Sequence, residues 1–361
     1  MNINHYAVIM AGGVGSRFWP VSRTAHPKQF IDILGTGKTL VQSTFDRFAK
    51  IVPKKNIYII TNEIYLDLVH DQLPELTDNQ ILAEPEMKNT APCIAYACFK
   101  IFSLNPNASI VVAPSDHLIL DVETFVYTIN SALQLSEHND CLITLGIKPK
   151  HPDTGYGYIK ASKEKSTGSF QNVEKFTEKP SQETAKQFLA DGSYYWNSGI
   201  FVWNALAICK AFEKSARHIY EIFVNGMRYY NTPDEQEFIS ANYSKCSNIS
   251  IDYAVMEKAD NVYVLPCDFE WSDLGTWSSI YTLADKDSSG NAAIPAEKVV
   301  LYDSSNCMVN VPGEKLVILS KLKDYIVAES NNTLLICPKD EEQAVKQFVA
   351  DVKGRFGAQY I

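Results

Sequence analysis

Short apolar runs alternate with amphipathic segments along the first part of the chain. In residues 39–52, 90–103 and 122–137 the apolar positions recur at the spacing of a helix. The runs between them are rich in branched side chains and bounded by turn residues, as is typical of buried strands: Ala7–Met10, Ile57–Ile60, Ile110–Val112 and Leu142–Leu145. Strands that alternate with helices predict an α/β fold with a mostly parallel sheet and right-handed crossovers.

The pattern changes after the polar stretch 287–291, which we interpret as a linker. No long helical pattern interrupts the runs that follow, and they predict a small β domain: Val299–Tyr302, Met308–Val311, Leu316–Leu319, Tyr325–Val327 and Leu334–Cys337. A last helix is predicted over 340–356, with Asp340 as its N-cap. We therefore divide the chain into a first domain, 1–287, and a β domain, 288–361.

Composition and charge narrow the classes of function. The formal net charge of −9 argues against nucleic acid as a partner, because nucleic-acid binding needs a basic surface. No apolar run reaches the ~18 residues of a membrane span, and the N-terminus lacks the basic region of a signal peptide. Eight cysteines are scattered without a C-x-x-C pair, which predicts reduced thiols and a cytoplasmic protein.

The stretch after the first predicted strand carries the clearest chemistry. It reads A-G-G-V-G-S-R from Ala11 to Arg17. Three glycines within four residues let the backbone turn tightly and approach a ligand without Cβ clashes. The N–H groups of such a loop can converge on phosphate oxygens. Because Arg17 and Lys28 follow the glycines, the stretch predicts a site for a triphosphate and its pyrophosphate leaving group.

Two other phosphate-binding motifs compete with this interpretation. A dinucleotide fingerprint needs G-x-G-x-x-G, but Phe18 stands where the third glycine should be. A Walker A loop needs G-x-x-x-x-G-K-[ST], but Asp32 stands where the first glycine should be, ahead of Gly37-Lys38-Thr39. We therefore expect residues 35–38 to form a surface turn before a helix.

Two carboxylates far apart in sequence are candidate metal ligands. Asp116 follows the predicted strand Ile110–Val112, and the carboxyl end of a strand faces the ligand crevice in such folds. Asp273 lies in the segment Trp271–Trp277. Phosphoryl chemistry usually needs Mg²⁺ held by one or two carboxylates together with phosphate oxygens and water. Each aspartate could instead be an ordinary turn or loop residue.

Further polar segments suit a sugar phosphate and a base. Glu178 and Lys179 stand side by side, and a carboxylate can accept from neighbouring sugar hydroxyls while an ammonium holds the phosphate. An exposed loop pair is the alternative. Glu84 and Asn89 follow a predicted strand at 80–83, and Asn89 could equally be a helix cap.

These motifs together resemble a known family. Residues 11–29 resemble the signature of the sugar-nucleotide pyrophosphorylases, and the ending Pro27-Lys28-Gln29 most resembles mannose-1-phosphate guanylyltransferases. The remaining motifs occur in the family's order: 84–92, Pro114–His117, 152–159, Phe176–Pro180, Trp196–Phe201 and Trp271–Trp277.

The resemblance implies a Rossmann-like nucleotidyltransferase domain, a C-terminal domain like a left-handed β-helix, and a role for each matching residue. The implied nucleotide-binding residues are Ala11, Gly12, Gly13, Gly15, Ser16, Glu84, Asn89 and Asp116. The implied sugar-binding residues are Gly157, Glu178, Lys179 and Asn197. The implied catalytic residues are Arg17, Lys28 and Lys179, and the implied ligands of Mg²⁺ are Asp116 and Asp273.

The implied reaction is attack of mannose 1-phosphate on the α-phosphorus of GTP, giving GDP-mannose and pyrophosphate. A homodimer is also implied, and the isomerase domain of longer relatives has no counterpart in this sequence. Two alternatives stay open: the same chemistry with another sugar 1-phosphate or base, and a non-catalytic sugar-nucleotide sensor. A sensor has no use for Arg17, Lys28, Asp116 and Asp273 together.

Overall fold

A computed structural model describes residues 1–361, apart from the side chains of residues 163–165. The strands, numbered in chain order, are β1 (His5–Met10), β2 (Ile57–Asn62), β3 (Ile81–Glu84), β4 (Ser109–Pro114), β5 (Leu118–Ile119), β6 (Leu142–Ile147), β7 (Gly157–Thr167), β8 (Phe170–Glu178), β9 (Tyr194–Asn204), β10 (Val262–Cys267), β11 (Trp271–Ser272), β12 (Ala292–Ile294), β13 (Val299–Tyr302), β14 (Met308–Asn310), β15 (Val317–Ser320), β16 (Tyr325–Ser330) and β17 (Thr333–Pro338).

The helices are numbered in the same way. They are α1 (Leu40–Phe48), α2 (Leu66–Gln72), α3 (Thr90–Leu104), α4 (Val122–Glu137), α5 (Gln182–Asp191), α6 (Ala205–Ser215), α7 (Arg217–Val224), α8 (Glu235–Asn242), α9 (Trp277–Leu283) and α10 (Val345–Phe356). Over the described residues the chain forms two compact units. The first comprises 1–12, 44–115 and 119–271, and the second comprises 13–43, 116–118 and 272–361.

The first unit is built on one sheet. Among the described residues it has nine strands, in the order β3-β2-β1-β4-β9-β6-β10-β8-β7. The pairings among β3, β2, β1 and β4 are parallel, as is that between β6 and β10. Strands β7, β8 and β9 pair antiparallel with their neighbours. The predicted α/β fold is confirmed, and the predicted strands of this sheet correspond to β1, β2, β3, β4 and β6.

The core of the first unit explains why its central strands appear in the sequence as continuous apolar runs. Strand β1 is buried over nearly its whole length, as strands covered on both faces are. Helix α3 packs into the same core, and its residues from Ala91 to Ile101 are buried. Small alanine and cysteine side chains let this helix pack closely without leaving voids.

The second unit contains a β-helix. Strands β12, β14 and β16 pair in parallel, one beside the next, and β13 and β15 form a further parallel pair. Strand β17 pairs antiparallel with β16. The inward side chains Cys307, Val309 and Val327 are buried between these rows. The predicted C-terminal β domain is confirmed.

The glycine-rich segment 13–43 folds with this β-helix. Phe18 and Trp19 belong to one core with Trp277, Met308 and Ile326. Polar contacts add to this packing. The Trp19 indole donates to the carbonyl of Tyr360 at 2.7 Å. The Arg23 guanidinium donates to the Ser330 carbonyl at 2.7 Å and to the Thr333 hydroxyl at 2.9 Å.

The end of the chain departs from the prediction in one respect. Residues 339–344 form a 3₁₀ turn, and α10 begins only at Val345. The prediction of Asp340 as N-cap is wrong, because Ala344 stands at the N-cap of α10, without a side-chain cap hydrogen bond. Within the preceding turn, the Glu342 carboxylate accepts from the backbone N–H of Ser278 at 2.9 Å. The predicted division between residues 287 and 288 stays a prediction.

Two further features bear on the sequence interpretation. Among the described residues there is no helix with both the length and the apolar character that crossing a bilayer requires. All eight cysteines are buried, and none is in a disulfide.

Candidate active site

The glycine-rich loop is shaped by side chains that follow it. Gln29 donates to the carbonyl of Gly13 at 2.8 Å, and Ser22 donates to the carbonyl of Val14 at 2.9 Å. The C=O and N–H of a trans peptide point in opposite directions. The N–H groups of Val14 and Gly15 therefore point away from these side chains, as a phosphate-binding loop requires.

Gly15 is the residue of this loop that no other amino acid can replace easily. Its φ is +65°, in the left-handed region that favours glycine. A Cβ atom on Gly15 would lie 2.6 Å from the Cβ of Lys28. The sequence therefore needs glycine here both for the turn and for the approach of Lys28.

We expect Gly15→Ala to lower the thermal midpoint by several degrees, because the strained φ alone costs about 1–2 kcal/mol. The displaced Lys28 should also lower the rate of pyrophosphate release. Gly13→Ala is the stability control, since its added methyl would meet no atom within 4 Å. Equal thermal midpoints for the two variants would contradict the assigned role of Gly15. Differential scanning fluorimetry measures the thermal midpoints of the two variants.

Phe18 and Asp32, which stand where the two competing phosphate-binding motifs need glycine, each have a structural role of their own. Phe18 is 1% exposed and meets the Trp277 ring edge-on at 5.3 Å, so it fills core space that a glycine would leave empty. Asp32 accepts from the backbone N–H groups of Thr36 and Gly37 at 2.9 and 2.6 Å. The turn at 35–38 is thus held by an internal carboxylate, which occupies the donors that a Walker A phosphate would need.

The second unit contains a cleft of about 330 Å³ that collects the predicted phosphate and metal residues. Its charged members are of both signs. The lining residues are Gly15, Ser16, Arg17, Phe18, Lys28, Asp116, His117, Asp273, Leu274, Gly275 and Lys346. The cleft therefore brings together residues from three distant parts of the chain: 15–28, 116 and 273.

Lys28 is the most constrained cation of the cleft. It is 3% exposed, and its ammonium lies 5.5 Å from the centre of the Phe18 ring. The Lys28 Nζ donates to Asp116 Oδ2 at 3.0 Å and to the backbone carbonyl of Asp273 at 2.7 Å. A buried ammonium held by two oxygens is fixed in position before any ligand binds.

Asp116 stays ionised beside this lysine. Burial alone would raise the pKa of the Asp116 carboxyl, but the Lys28 ammonium and then His117 bring it below its ordinary value. The side chain keeps 34% exposure to solvent. Asp116 therefore presents a charged carboxylate that a ligand in the cleft can reach.

Asp273 reaches the cleft because its neighbours are pulled into the core. Leu274 and Trp277 are fully buried, and Leu274 adopts a positive φ of 45°. The Asp273 Oδ1 accepts from the backbone N–H of Gly275 at 3.0 Å, which orients the carboxylate. The motif Trp271–Trp277 is thus an anchor that holds one aspartate at the cleft.

The donors of the cleft fit a magnesium ion. Asp116 and Asp273 supply carboxylate oxygens, the ligands that Mg²⁺ prefers. Among the described residues, no group of three or more His, Cys, Asp or Glu side chains forms a complete metal cage. Mg²⁺ commonly keeps waters and takes substrate phosphate oxygens beside one or two carboxylates, so Asp116 and Asp273 are the residues that could hold such an ion here.

Arg17 and Lys346 complete the charge of the cleft. The Arg17 Nε is buried and has no hydrogen-bond partner among the described residues, which is costly unless a ligand oxygen satisfies it. Lys346, in the first turn of α10, lines the same cleft. Lys346 was not predicted from the sequence, because nothing in its local pattern links the last helix to the glycine-rich loop.

The first unit contains the predicted base-binding residues. Gly12 lies against Glu84, whose Oε2 would be 3.3 Å from a Cβ on Gly12. Glu84 is buried, and Tyr243 donates to its Oε1. Burial raises the pKa of Glu84 to about 7, although the Tyr243 hydroxyl lowers it in part. Tyr243 was not among the sequence candidates, since tyrosines in apolar surroundings usually read as core.

Ala11 and Asn89 have structural partners in this unit. Ala11 donates its N–H to the Ile60 carbonyl at 2.8 Å and accepts from the Thr61 hydroxyl at 2.9 Å. Asn89 begins α3, and its Oδ1 accepts from the N–H of Thr90 at 2.9 Å. The cap role that was open for Asn89 is therefore present. A contact of either residue with a nucleotide stays a prediction.

The predicted sugar-binding residues gather at one place in the first unit. Gly157 pairs with Glu178 across β7 and β8, and a Cβ on Gly157 would lie 2.3 Å from Glu178 Oε2. The Lys179 ammonium contacts Glu178 Oε1 at 2.8 Å and is 62% exposed. Asn197 donates from Nδ2 to Asp252 Oδ1 at 2.7 Å.

Asp252 is an acidic member of this group that was not predicted from the sequence. It begins a π-helix, Asp252–Met256, a geometry that is frequent at functional sites. Burial, and then the Glu178 carboxylate, raise its pKa to about 6, although the Asn197 amide lowers it in part. The π-helix is the signal that marks Asp252, and it has no signature in the sequence.

Comparison with known proteins gives family and sequence matches over most of the chain. Residues 6–290 match the family described as nucleotidyl transferase, and residues 297–352 match the MannoseP isomerase/GMP-like beta-helix domain. The mannose-1-phosphate guanylyltransferase of Salmonella montevideo is 38% identical, over 96% of this chain and 73% of its own length. The enzyme of that name from Escherichia coli is 35% identical, over 96% of this chain and 76% of its own length.

A solved structure has a similar fold. It is the structure described as mannose-1-phosphate geranyltransferase from Thermus thermophilus, with a TM-score of 0.85 and 27% sequence identity. The match covers 97% of this chain and all of the other chain. The α/β sheet and the β-helix therefore occur together in a related protein.

Proposed function

Because the chain belongs to the nucleotidyl transferase family, we propose that it transfers GMP from GTP to α-D-mannose 1-phosphate, giving GDP-mannose and pyrophosphate. The observation that carries this proposal is the cleft of the second unit. There Arg17, Lys28 and Lys346 line the same space as Asp116 and Asp273. Cations beside two carboxylates suit a nucleoside triphosphate with its metal, because the cations can bind phosphate oxygens while the carboxylates bind the metal.

The chemical step needs no general base from the protein. The phosphate oxygen of a sugar 1-phosphate is anionic at neutral pH, so the chain's own residues act by positioning and by charge. Lys179 holds the sugar phosphate. Lys28, Arg17 and Lys346 neutralise the charge that develops on the pyrophosphate as it leaves. Mg²⁺, held by Asp116 and Asp273, would supply positive charge to the phosphate oxygens.

Glu84 provides the proposed selection of guanine. The N1–H and the amino group of guanine both donate, and an ionised carboxylate accepts from both. Tyr243 occupies Oε1 with a hydrogen bond of its own and thereby fixes the orientation of the carboxylate. Adenine offers an acceptor at N1 and cannot make the same pair of contacts.

This role predicts a pH dependence. The pKa of Glu84 is raised to about 7, so the carboxylate is protonated below that pH and ionised above it. We expect kcat/KM for GTP to rise with pH through about 7 in the wild type. Glu84→Gln should abolish this rise and reduce the preference for GTP over ATP by roughly tenfold to hundredfold. An unchanged pH profile in a folded Glu84→Gln variant would exclude the role.

The choice of mannose 1-phosphate is supported by the names of the relatives and by the sugar group of the first unit. Glu178 accepts from hydroxyls, and Gly157 lets its carboxylate lie close to the backbone, because a Cβ at position 157 would collide with Glu178 Oε2. Asn197 and Lys179 complete this group. The same arrangement suits other hexose 1-phosphates, and a panel of sugar 1-phosphates distinguishes them by rate.

A homodimer in the cytoplasm is part of the proposal. Side chains on and beside β13 and β15 leave apolar surface exposed: Val300, Tyr302, Leu316 and Ile318. Contiguous exposed apolar side chains often mark protein contacts. Free buried cysteines are usual in reducing compartments. Analytical ultracentrifugation of the wild type and of Ile318→Asp tests the dimer.

The function is tested by pyrophosphate release from the purified protein. Four nucleoside triphosphates are combined with a panel of sugar 1-phosphates, each with and without Mg²⁺. The proposal expects magnesium-dependent release with GTP and mannose 1-phosphate above every other pair. Release with a different pair would overturn the base or the sugar. Absence of release from folded protein would favour a sensor.

A further inference from the structure

The amide of Asn197 is fixed by its neighbours in the first unit. Its Oδ1 accepts from the Thr144 hydroxyl and from the N–H of Gly199, each at 3.1 Å. Its Nδ2 donates to Asp252 Oδ1 at 2.7 Å. An amide oxygen has two lone pairs, so this oxygen is fully used. Asn197 keeps at most one N–H for a ligand and cannot be the main acceptor of sugar hydroxyls.

Asp252 is the group that Asn197 holds in place. The hydrogen bond from Asn197 occupies one acceptor position on Asp252 Oδ1, whereas a carboxylate can accept about four hydrogen bonds. The Asp252 backbone is anchored by Ala254, Val255 and Met256, which are buried in the core. The residue itself is only partly buried. Asp252 is therefore fixed but still open to a ligand.

The carboxylates of Glu178 and Glu257 lie near Asp252 and act on its charge. After burial, the negative charges of Glu178 and Glu257 raise the pKa of Asp252 further, and Glu178 does the same to Glu257. Carboxylates side by side are unfavourable unless hydrogen-bond donors lie between them, and the hydroxyls of a ligand are such donors. Gly157 lets the Glu178 carboxylate lie against the backbone of β7, because a Cβ at this position would collide with Glu178 Oε2.

We propose that Asp252 accepts a hydrogen bond from a sugar hydroxyl and determines specificity among sugar 1-phosphates, with Asn197 as the residue that positions it. This inference rests on the proposed function. Glu178 and Asp252 then form a pair of acceptors for the hydroxyls of one hexose ring. The role of Asn197 shifts from direct contact to orientation of the carboxylate.

The test compares kcat/KM across a series of substrates rather than for a single substrate. Asp252→Asn keeps the shape of the side chain and removes its charge. Its kcat/KM is compared with that of the wild type on mannose 1-phosphate and on monodeoxy analogues that each lack one hydroxyl. We expect a loss of about tenfold to hundredfold with mannose 1-phosphate, the scale of a hydrogen bond to a charged group. With the analogue that lacks the recognised hydroxyl, the loss should shrink to about twofold.

Two further variants sharpen the test. Asn197→Ala should show the same preference among the analogues, with a smaller loss, because it leaves Asp252 in place but less well oriented. Asp260→Asn is the matched control, since this aspartate is exposed and pairs with Lys214 outside the group. The KM for the nucleotide should stay within about twofold of the wild type in all three variants.

The outcomes separate the inference from the function. An active wild type with equal losses for Asp252→Asn on every analogue would overturn the inference alone, because a structural defect affects all substrates alike. No activity from the wild type with any pair would overturn the proposed function and the inference together. If Asp252→Asn folds poorly, the comparison among analogues still holds, because the folded fraction cancels within one protein.

Discussion

Replacing Lys28 with alanine lowers kcat by a factor on the order of 10² or more, the scale of one preorganised charge contact. The ammonium is buried against Phe18 and held by Asp116 and the Asp273 carbonyl, so it needs no reorganisation when charge develops on the leaving pyrophosphate. Pyrophosphate release at saturating GTP, mannose 1-phosphate and Mg²⁺ measures the effect.

Two variants make the Lys28 result interpretable. Lys28→Met keeps most of the buried stem and should lose as much activity as Lys28→Ala, because it lacks the charge. Lys353→Ala removes an exposed lysine from α10, in the same unit, and should be nearly neutral. Unfolding curves check that each variant is folded. A folded Lys28→Met protein with a near-wild-type rate would contradict the role of Lys28.

The second large effect on kcat is expected for Asp273→Asn. It keeps the side-chain volume and an oxygen for the Gly275 N–H but removes the charge that would bind Mg²⁺. We expect kcat to fall by about 10² to 10³-fold, and the Mg²⁺ concentration that gives half-maximal rate to rise. A rate measured across a magnesium titration reports both.

The control for this variant is Asp285→Asn, an exposed aspartate of the same unit. It should leave the magnesium titration unchanged. Mn²⁺ binding, followed by the relaxation of water protons, gives a second readout that does not depend on turnover. If Asp273→Asn shifts neither the titration nor Mn²⁺ binding, Asp273 is not a metal ligand.

The sequence predicted the parts of the fold whose signal is local. Buried strands such as β1 and β4 appear as unbroken apolar runs, because parallel strands in the middle of a sheet are covered on both faces. Strands β7 and β8 carry charged residues through much of their length, so they gave no such run. Their antiparallel pairing at the edge of the sheet was not predictable from periodicity.

For the candidate site, too, only the residues with a local sequence signal were predictable. The residues in contiguous motifs, such as Arg17, Asp116 and Glu178, could be named from the sequence because their neighbours form the motif. Asp252 and Lys346 could not, because they join their groups only through the fold. Asp252 lies in a π-helix, and Lys346 depends on the packing of α10 with the segment 13–43.

The central claim is that the α-phosphate of GTP is transferred to a sugar 1-phosphate. The most direct measurement uses GTP labelled at the α-phosphorus, together with mannose 1-phosphate, Mg²⁺ and the purified protein, with the products separated by anion exchange. The account predicts that the label appears in GDP-mannose and that unlabelled pyrophosphate is released in equal amount. Label that stays in GTP, or that appears in GMP or GDP without a sugar nucleotide, would contradict it.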